Sequence, residues 1–491
     1  MSNSDHASSK RNILGAHAIP NGISTPRGML IFFALLAAIA AGSSDVFGTV
    51  GTAAAAEFYV DPQHGDQNND GSKQRPWKSL QELFDRGQIE SRDWESLPYK
   101  AGAAQKPKNP GAPVRAGDTI RLKSGDYGEL VVAGYYNEKP ITIEAAPGEK
   151  PRFNRIHVRA ASNWVLRGLI VSGERPADGK RYPLMHLESH GWRGPAQEIT
   201  VEDCVLSSAD DSSGWSADDW NRRPRDGIRA DGPRIVVRRN RLKNVNFGIS
   251  MSGPHALVEH NTVENFAGDG LRGLGDYSVF QYNVVKNCYD VNDNHDDGFQ
   301  SWSIGPGGVG TGEVKGIVLR GNTFINYEDP KQPHRGPLQG IGCFDGMFVD
   351  WVIENNVVVV DHYHGITLAG ARGCKIVNNT VIDPNDQRPG PSAIRIGPHK
   401  KKMPSRDCTV RNNLASGLSV VGEAMTSDHN VIVTDREAFV ENAAAYDFRL
   451  KKGSPAIDAG SSDGVPSEDR AGVKRPQGKA VDLGAYERPA E

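Results

Sequence analysis

Asn240, Asn261, Asn283, Asn322, Asn356, Asn379 and Asn413 each close a short β-branched run, and most of them open another apolar pair. Asn379, for example, ends Cys374-Lys-Ile-Val-Asn-Asn and precedes Thr380-Val381-Ile382. The spacings are 21, 22, 39, 34, 23 and 34 residues. An irregular repeat of this kind reads as one coil per ~20–25 residues, with loops inserted into some coils. A buried asparagine amide can bond the backbone of its own turn and the amides stacked above and below it. That combination predicts an all-β chain, a single-stranded right-handed parallel β-helix. Residues 163–171 and 198–206 read as earlier coils, the second with Asp203 in the ladder place.

The two ends lack the repeat. Residues 57–86 read as a strand, a polar turn and a helix whose Leu80, Leu83 and Phe84 share one face. Such a helix would plug the open first coil against edge pairing. The tail is rich in Gly, Pro and Asp without periodicity, which suits an irregular cap. The expected division is a signal peptide over 1–56, an N-terminal cap over 57–115, the β-helix over 116–435 and a capping segment over 436–491. The signal peptide rests on one apolar run, residues 29–41, preceded by Lys10, Arg11 and Arg27 and followed by Ala53–Ala56. That run is short for a bilayer span. A secreted or periplasmic protein follows, with no membrane span in the mature chain and a monomer expected.

Removing residues 1–56 takes away three cations and two carboxylates (Asp5, Asp45), moving the formal charge from −3 to −4. This excludes a general nucleic-acid binder. An acidic polymer would have to meet local cations, such as Arg222-Arg223-Pro-Arg225 with Arg229, or His399-Lys-Lys-Lys402. The five cysteines show no CxxC spacing, so no conventional zinc or redox motif is present. Cys374 and Cys408 each stand five residues before a ladder asparagine, so they should stack in adjacent coils as a disulfide or as two buried thiols. Asp66, Asn68, Asp70 and Gly71 imitate an EF-hand start, but its twelfth position is Trp77.

A second register runs upstream of the asparagines. The segments Asp226-Gly-Ile-Arg229, Phe247-Gly-Ile-Ser250, Asp269-Gly-Leu-Arg272, Asp297-Gly-Phe-Gln300, Gln339-Gly-Ile-Gly342, His364-Gly-Ile-Thr367 and Ser392-Ala-Ile-Arg395 repeat one pattern. Alternation along a strand turns the Ile, Leu or Phe inward and the next residue outward. Arg229, Ser250, Arg272, Gln300, Thr367 and Arg395 should line one outer face, with Trp302 beyond Gln300; the Asp or His before each Gly should occupy a corner. Arginines one coil apart repel, so a partner is required: Asp226 and Asp269, or a bound carboxylated sugar held by bidentate contacts. Residues 290–300 are the most unusual, with Asp290, Asp293, Asp296 and Asp297 around His295. That density raises a histidine pKa and favours either acid–base work or a cation. Asp290, Asp293 and Asp296 are the candidate ligands, and Ca²⁺ is the cofactor that hard oxygen ligands admit.

The opening Tyr59-Val-Asp-Pro-Gln-His-Gly65, the coil from Gly117 to Ala145 and the closing Gly453-Ser-Pro-Ala-Ile-Asp-Ala-Gly460 resemble secreted bacterial proteins of the pectate-lyase-like β-helix superfamily. The resemblance implies the fold over residues 57–491 and polysaccharides as partners. Residues 269–299 resemble more narrowly the catalytic coils of mannuronan C5-epimerases. That likeness implies a site carboxylate at Asp269 and an acid–base histidine at His295. Asn294 stands where that family has Arg, and Phe247–Ser252 stands where it has Tyr-Gly-Phe-Asp-Pro-His.

Epimerisation and lyase cleavage both begin by removing the proton at C5 of a uronate. This needs a cation on the carboxylate, a base, and for cleavage a donor to the leaving O4. Arg272 and Arg229 suit the first role and His295 the second. His364, with Tyr363 and His362, suits the third. The expectation is a lyase that cleaves a uronate-containing polysaccharide by β-elimination. The alternatives are a uronan epimerase, a hydrolase using Asp269 and Asp297, and a β-helix that only binds glycans.

Overall fold

The computed structural model describes residues 55–490 apart from Ala177 and Asp386. The leader read over residues 1–56 lies outside the described residues except for its last two. Among the described residues no helix is long and apolar enough to cross a membrane.

Each coil contributes three strands. One coil holds Ile249–Met251, Leu257–Glu259 and Thr262–Phe266, stacked in parallel on Leu271–Gly273, Val279–Gln281 and Val284–Cys288 of the next. The first two faces belong to a 24-stranded sheet and the third to a 12-stranded sheet. Alternation sends Ile249, Met251, Val258, Val263 and Phe266 inward, and all five are buried. The core is one apolar column running from Val60 to Ala415.

The corner between second and third faces explains the asparagines. The residue before each is left-handed: Arg239, His260, Tyr282, Gly321, Asn355, Asn378 and Asn412 have φ between 52° and 61°. One such residue turns the chain sharply and aims the next side chain inward. Each Nδ2 from Asn240 to Asn379 then donates to the next asparagine Oδ1 at 3.0 Å. Asn413 continues the ladder to Asn430 at 2.9 Å, a rung the sequence reading did not include. At the other end the ladder place belongs to Cys204, whose N–H donates to Asn240 Oδ1 at 2.9 Å. Asp203 is the left-handed residue before it and pairs outward with Arg239 at 2.8 Å. Its carboxylate would have no cation on the inside.

Cys374 and Cys408 stand on adjacent rungs, beside the register pair Lys375 and Thr409, as free buried thiols. At the N-terminal end the helix Leu80–Asp85, capped by Ser79, sets Phe84 against Tyr135 and Trp164 at 5.1 and 5.7 Å. Toward the C-terminus Phe439, Phe448 and Leu450 pack with Val357, Val359 and Leu414 of the third face. The lengthened connections, among them 289–296, 303–313 and 383–392, border the first face on its two edges. Extra chain there walls a groove without disturbing the ladder.

Candidate active site on the first face

Strand register places one outward column along the first face: His157, His186, Arg229, Ser250, Arg272, Gln300, Gly342, Thr367, Arg395 and Ser419. The outward positions expected from the sequence are therefore brought together. The residues before each glycine are not at exposed corners. Asp269 is 1% exposed and Asp297 is fully buried. Both fold back onto the outward residue three positions later. Asp269 Oδ2 accepts from Arg272 Nε at 2.5 Å, Asp297 Oδ2 accepts from Gln300 Nε2 at 2.8 Å, and His364 Nδ1 lies 2.8 Å from Thr367 Oγ1.

Arg272 is held on three sides. Its guanidinium lies 3.7 Å from the Phe247 ring centre and 5.5 Å from that of Trp302, besides its ion pair with Asp269. Its two Nη groups make no hydrogen bond among the described residues, which leaves them available to a carboxylate. One rung on, the His295 side chain is 61% exposed, with Nδ1 3.2 Å from Asp297 Oδ2. The Asp297 N–H in turn donates to Asp269 Oδ1 at 3.2 Å. Hydrogen bonding to Asp297 raises the His295 pKa above its ordinary value. Burial pushes Asp297 well up and Asp269 up, the latter against the pull of Arg272. Burial also lifts Asp296 to about 7, while Asn294 Nδ2 donates to it at 2.7 Å.

Aromatic rings flank the column toward its C-terminal end. Phe344 separates His295 from His364, with ring centres 6.4 and 4.7 Å away. The rings of His362, Tyr363 and His364 form a triangle, with Tyr363 stacked on His362 at 4.3 Å and tilted against His364 at 4.2 Å, and the Arg395 guanidinium lies 5.6 Å from the Tyr363 ring. A cleft of ≈ 270 Å³ opens beside them, lined by Phe344, His364, Thr367, Arg395, Ile396 and Val421 among others. Burial depresses His362 to about 4 and His364 to about 3. Burial thus disfavours the imidazolium form of His364 that the expected proton-donor role would use.

Other expectations are corrected by the contacts. Asp226 does not balance Arg229; it accepts from Asn246 Nδ2 at 3.0 Å, and Asp231 pairs with Arg229 at 3.1 Å. Asp293 is exposed, the Asp290 carboxyl packs against Gly336, and Asp296 is buried, and the three are not among the groups of described residues whose ligand atoms converge. Arg225 is buried, donating to the carbonyls of Tyr182, Asn154 and Pro183, and Lys400 pairs with Asp345. Arg335 stacks on Tyr327.

Gln339, Gly342 and Phe344 belong to the site without having been expected there from the sequence. Gly342 is the one column position of this stretch without a side chain. A Cβ there would lie 1.8 Å from Asp297 Oδ1 and 2.9 Å from Gln339 Oε1. Those two buried oxygens have no hydrogen-bond partner among the described residues. The signal was present in Gln339-Gly-Ile-Gly342, where glycine replaces a functional residue of the repeat.

Residues 226–387 match the family model described as a right handed beta helix region. No curated protein sequence matches the chain. Similar solved structures include a pectate lyase, at 17% identity and a TM-score of 0.42, covering 89% of this chain and 98% of that one. A protein solved with xylose has 9% identity and a TM-score of 0.49, covering 88% and 99%. A polysaccharide lyase of the PL6 family from Pseudopedobacter saltans has 13% identity and a TM-score of 0.45, covering 77% and 94%. At these identities the likeness is one of fold.

Proposed function

We propose that the chain is a polysaccharide lyase, exported by its leader, that cleaves a uronate-containing polymer by β-elimination. The observation that carries this reading is that Arg272, on the outward column, and exposed His295, in the turn before the next rung, each rest on a buried carboxylate, and that the two carboxylate residues are joined by the Asp297 N–H to Asp269 Oδ1 bond. A uronate carboxylate binds the free Nη groups of Arg272, which offset the charge that builds up when C5 loses its proton. Neutral His295 takes that proton through its ring nitrogen. The C5 electron pair forms the C4–C5 double bond, the C4–O4 bond breaks, and the imidazolium returns its proton to O4. One histidine thereby serves as base and then acid, which removes the need for His364. Arg229, Gln300, Trp302, Arg395 and Tyr363 bind neighbouring sugars along the column, the aromatic group offering a stacking platform.

The hydrolase alternative asks Asp269 and Asp297 to reach a glycosidic oxygen and a water. Side chains with 0% exposure in both cases favour a supporting role for them. The test is steady-state cleavage of alginate, glucuronan, pectate and a glycosaminoglycan by wild type, His295→Ala and Arg272→Lys. Loss of kcat by at least ~10²-fold in His295→Ala is expected from removing general acid–base catalysis. Arg272→Lys should raise KM and lower kcat, because lysine neither stacks nor binds bidentately. Full activity in His295→Ala would reject the assignment.

A further inference from the structure

Toward the N-terminal end the same outward face carries a cluster that elimination does not use. The strand Met185–Glu188 turns His186 and Glu188 to one side, two residues apart. His157, on Arg155–Arg167, is the register partner of His186. The two imidazoles lie parallel, 5.2 Å between centres and 4° between planes. One ligand atom from each of His157, His186 and Glu188 lies within 4.8 Å of the others. His157 Nε2 is 2.6 Å from Glu188 Oε2, and the two side chains are 6% and 22% exposed.

We propose that His157, His186 and Glu188 form a site for a divalent transition metal of the zinc class. Two imidazoles and one carboxylate suit zinc and its neighbours, not calcium, and three protein ligands leave a fourth position open. The sheet fixes the three Cα positions, so the ligands close on an ion by side-chain rotation alone. His186 Nε2 lies 2.9 Å from Asp231 Oδ2, the carboxylate–histidine support that orients a ligating ring and leaves Nδ1 for the ion. His157 binds through Nε2 and carries its proton on Nδ1.

The facing cations are each already matched. Arg155 pairs with Glu129 at 2.8 Å, Arg229 with Asp231 at 3.1 Å, and Arg159 with Glu188 at 3.0 Å. Arg155 also lies 3.5 Å from His157 Nδ1, and on metal binding it turns to Glu129 and the Tyr182 ring, which hold it now. His186 is three rungs from Arg272, ~14 Å at the usual strand spacing. The metal therefore serves a sugar or a fold position apart from the one at His295, and the inference does not depend on the lyase reading.

The test uses the full chain without a polyhistidine tag, stripped by chelator and titrated with Zn²⁺ by calorimetry and with Co²⁺ by visible absorption. One equivalent of Zn²⁺ is expected, with Co²⁺ bands of a nitrogen- and oxygen-ligated site. His186→Asn and Glu188→Gln should each weaken binding at least ~10-fold, Asp231→Asn by ~10-fold or more, and His295→Ala should leave it unchanged. Folding of each variant is checked by circular dichroism. Absence of stoichiometric binding or of the Co²⁺ bands in the wild type would overturn the proposal, whatever the variants do. Binding that survives both His186→Asn and Glu188→Gln would overturn it as well.

Discussion

Replacing Asn322 with alanine removes one rung from the middle of the polar ladder, and its cost can be worked out bond by bond. Asn322 Oδ1 accepts from both the backbone N–H and the Nδ2 of Asn283, each at 3.0 Å. Its Nδ2 donates to Phe280 O at 2.8 Å and to Asn356 Oδ1 at 3.0 Å. After truncation the Asn283 amide keeps Val258 O, and Asn356 Oδ1 keeps the Asn322 N–H. The Asn283 N–H loses its partner at a position with no solvent exposure, while the Phe280 carbonyl stays within the strand pairing of Val279–Gln281 with Val318–Arg320. One buried unsatisfied group costs ~1–3 kcal/mol, so the expected loss is about 2 kcal/mol. Asn430, the terminal rung, is half-buried, and water can replace its bonds to Asn413 and Val410. Asn430→Ala should cost no more than ~1 kcal/mol. Urea unfolding followed by circular dichroism compares the two variants with wild type. Equal shifts of the midpoint would refute the claim that the ladder's interior amides stabilise the solenoid through otherwise unsatisfied partners.

Other outcomes follow from the first-face site. Elimination should rise with pH through the His295 pKa, above the ordinary histidine value, because the base must be neutral; Asp297→Asn removes the main cause of the shift and should move that limb to lower pH in a pH–kcat profile. Asp296 has its folded pKa raised to about 7, so the folded state holds a proton that the unfolded chain has lost. Stability should fall as pH rises from about 4 to about 7, and Asp296→Asn should flatten that dependence in thermal melts across the window. Gly342→Ala should displace the Asp297 carboxyl and lower kcat by ~10-fold or more while the fold is retained, since overpacking here costs only ~1–3 kcal/mol. Unchanged kcat in Gly342→Ala would remove Asp297 from the account.

The ladder was legible because a buried amide tolerates few substitutes and loops inserted elsewhere in a coil leave its context intact. The outward column was legible through the repeated Gly-Ile, since alternation fixes which residue faces out. The column's N-terminal continuation, His157 and His186, carries no such motif and emerges from strand register alone. Asp203 was misplaced by one residue because the turn spends a left-handed position before its inward side chain. Asp269 and Asp297 read as corner residues, yet both are buried because each finds a partner three residues on. Which carboxylate balances Arg229 depended on a strand-end contact with Asp231 that spacing does not encode. Acidic density likewise suggested a cation cage, but the fold exposes Asp293, sets the Asp290 carboxyl against Gly336 and buries Asp296.

The central claim, C5 proton removal followed by loss of O4, is tested most directly by following one reaction in two ways. Purified chain is incubated with the uronan it degrades, and ultraviolet absorbance of the unsaturated uronate is recorded alongside reducing ends. The account predicts that both rise in equal molar amounts and that His295→Ala abolishes both. Reducing ends appearing without absorbance would contradict it, because hydrolysis cleaves the chain without forming the C4–C5 double bond.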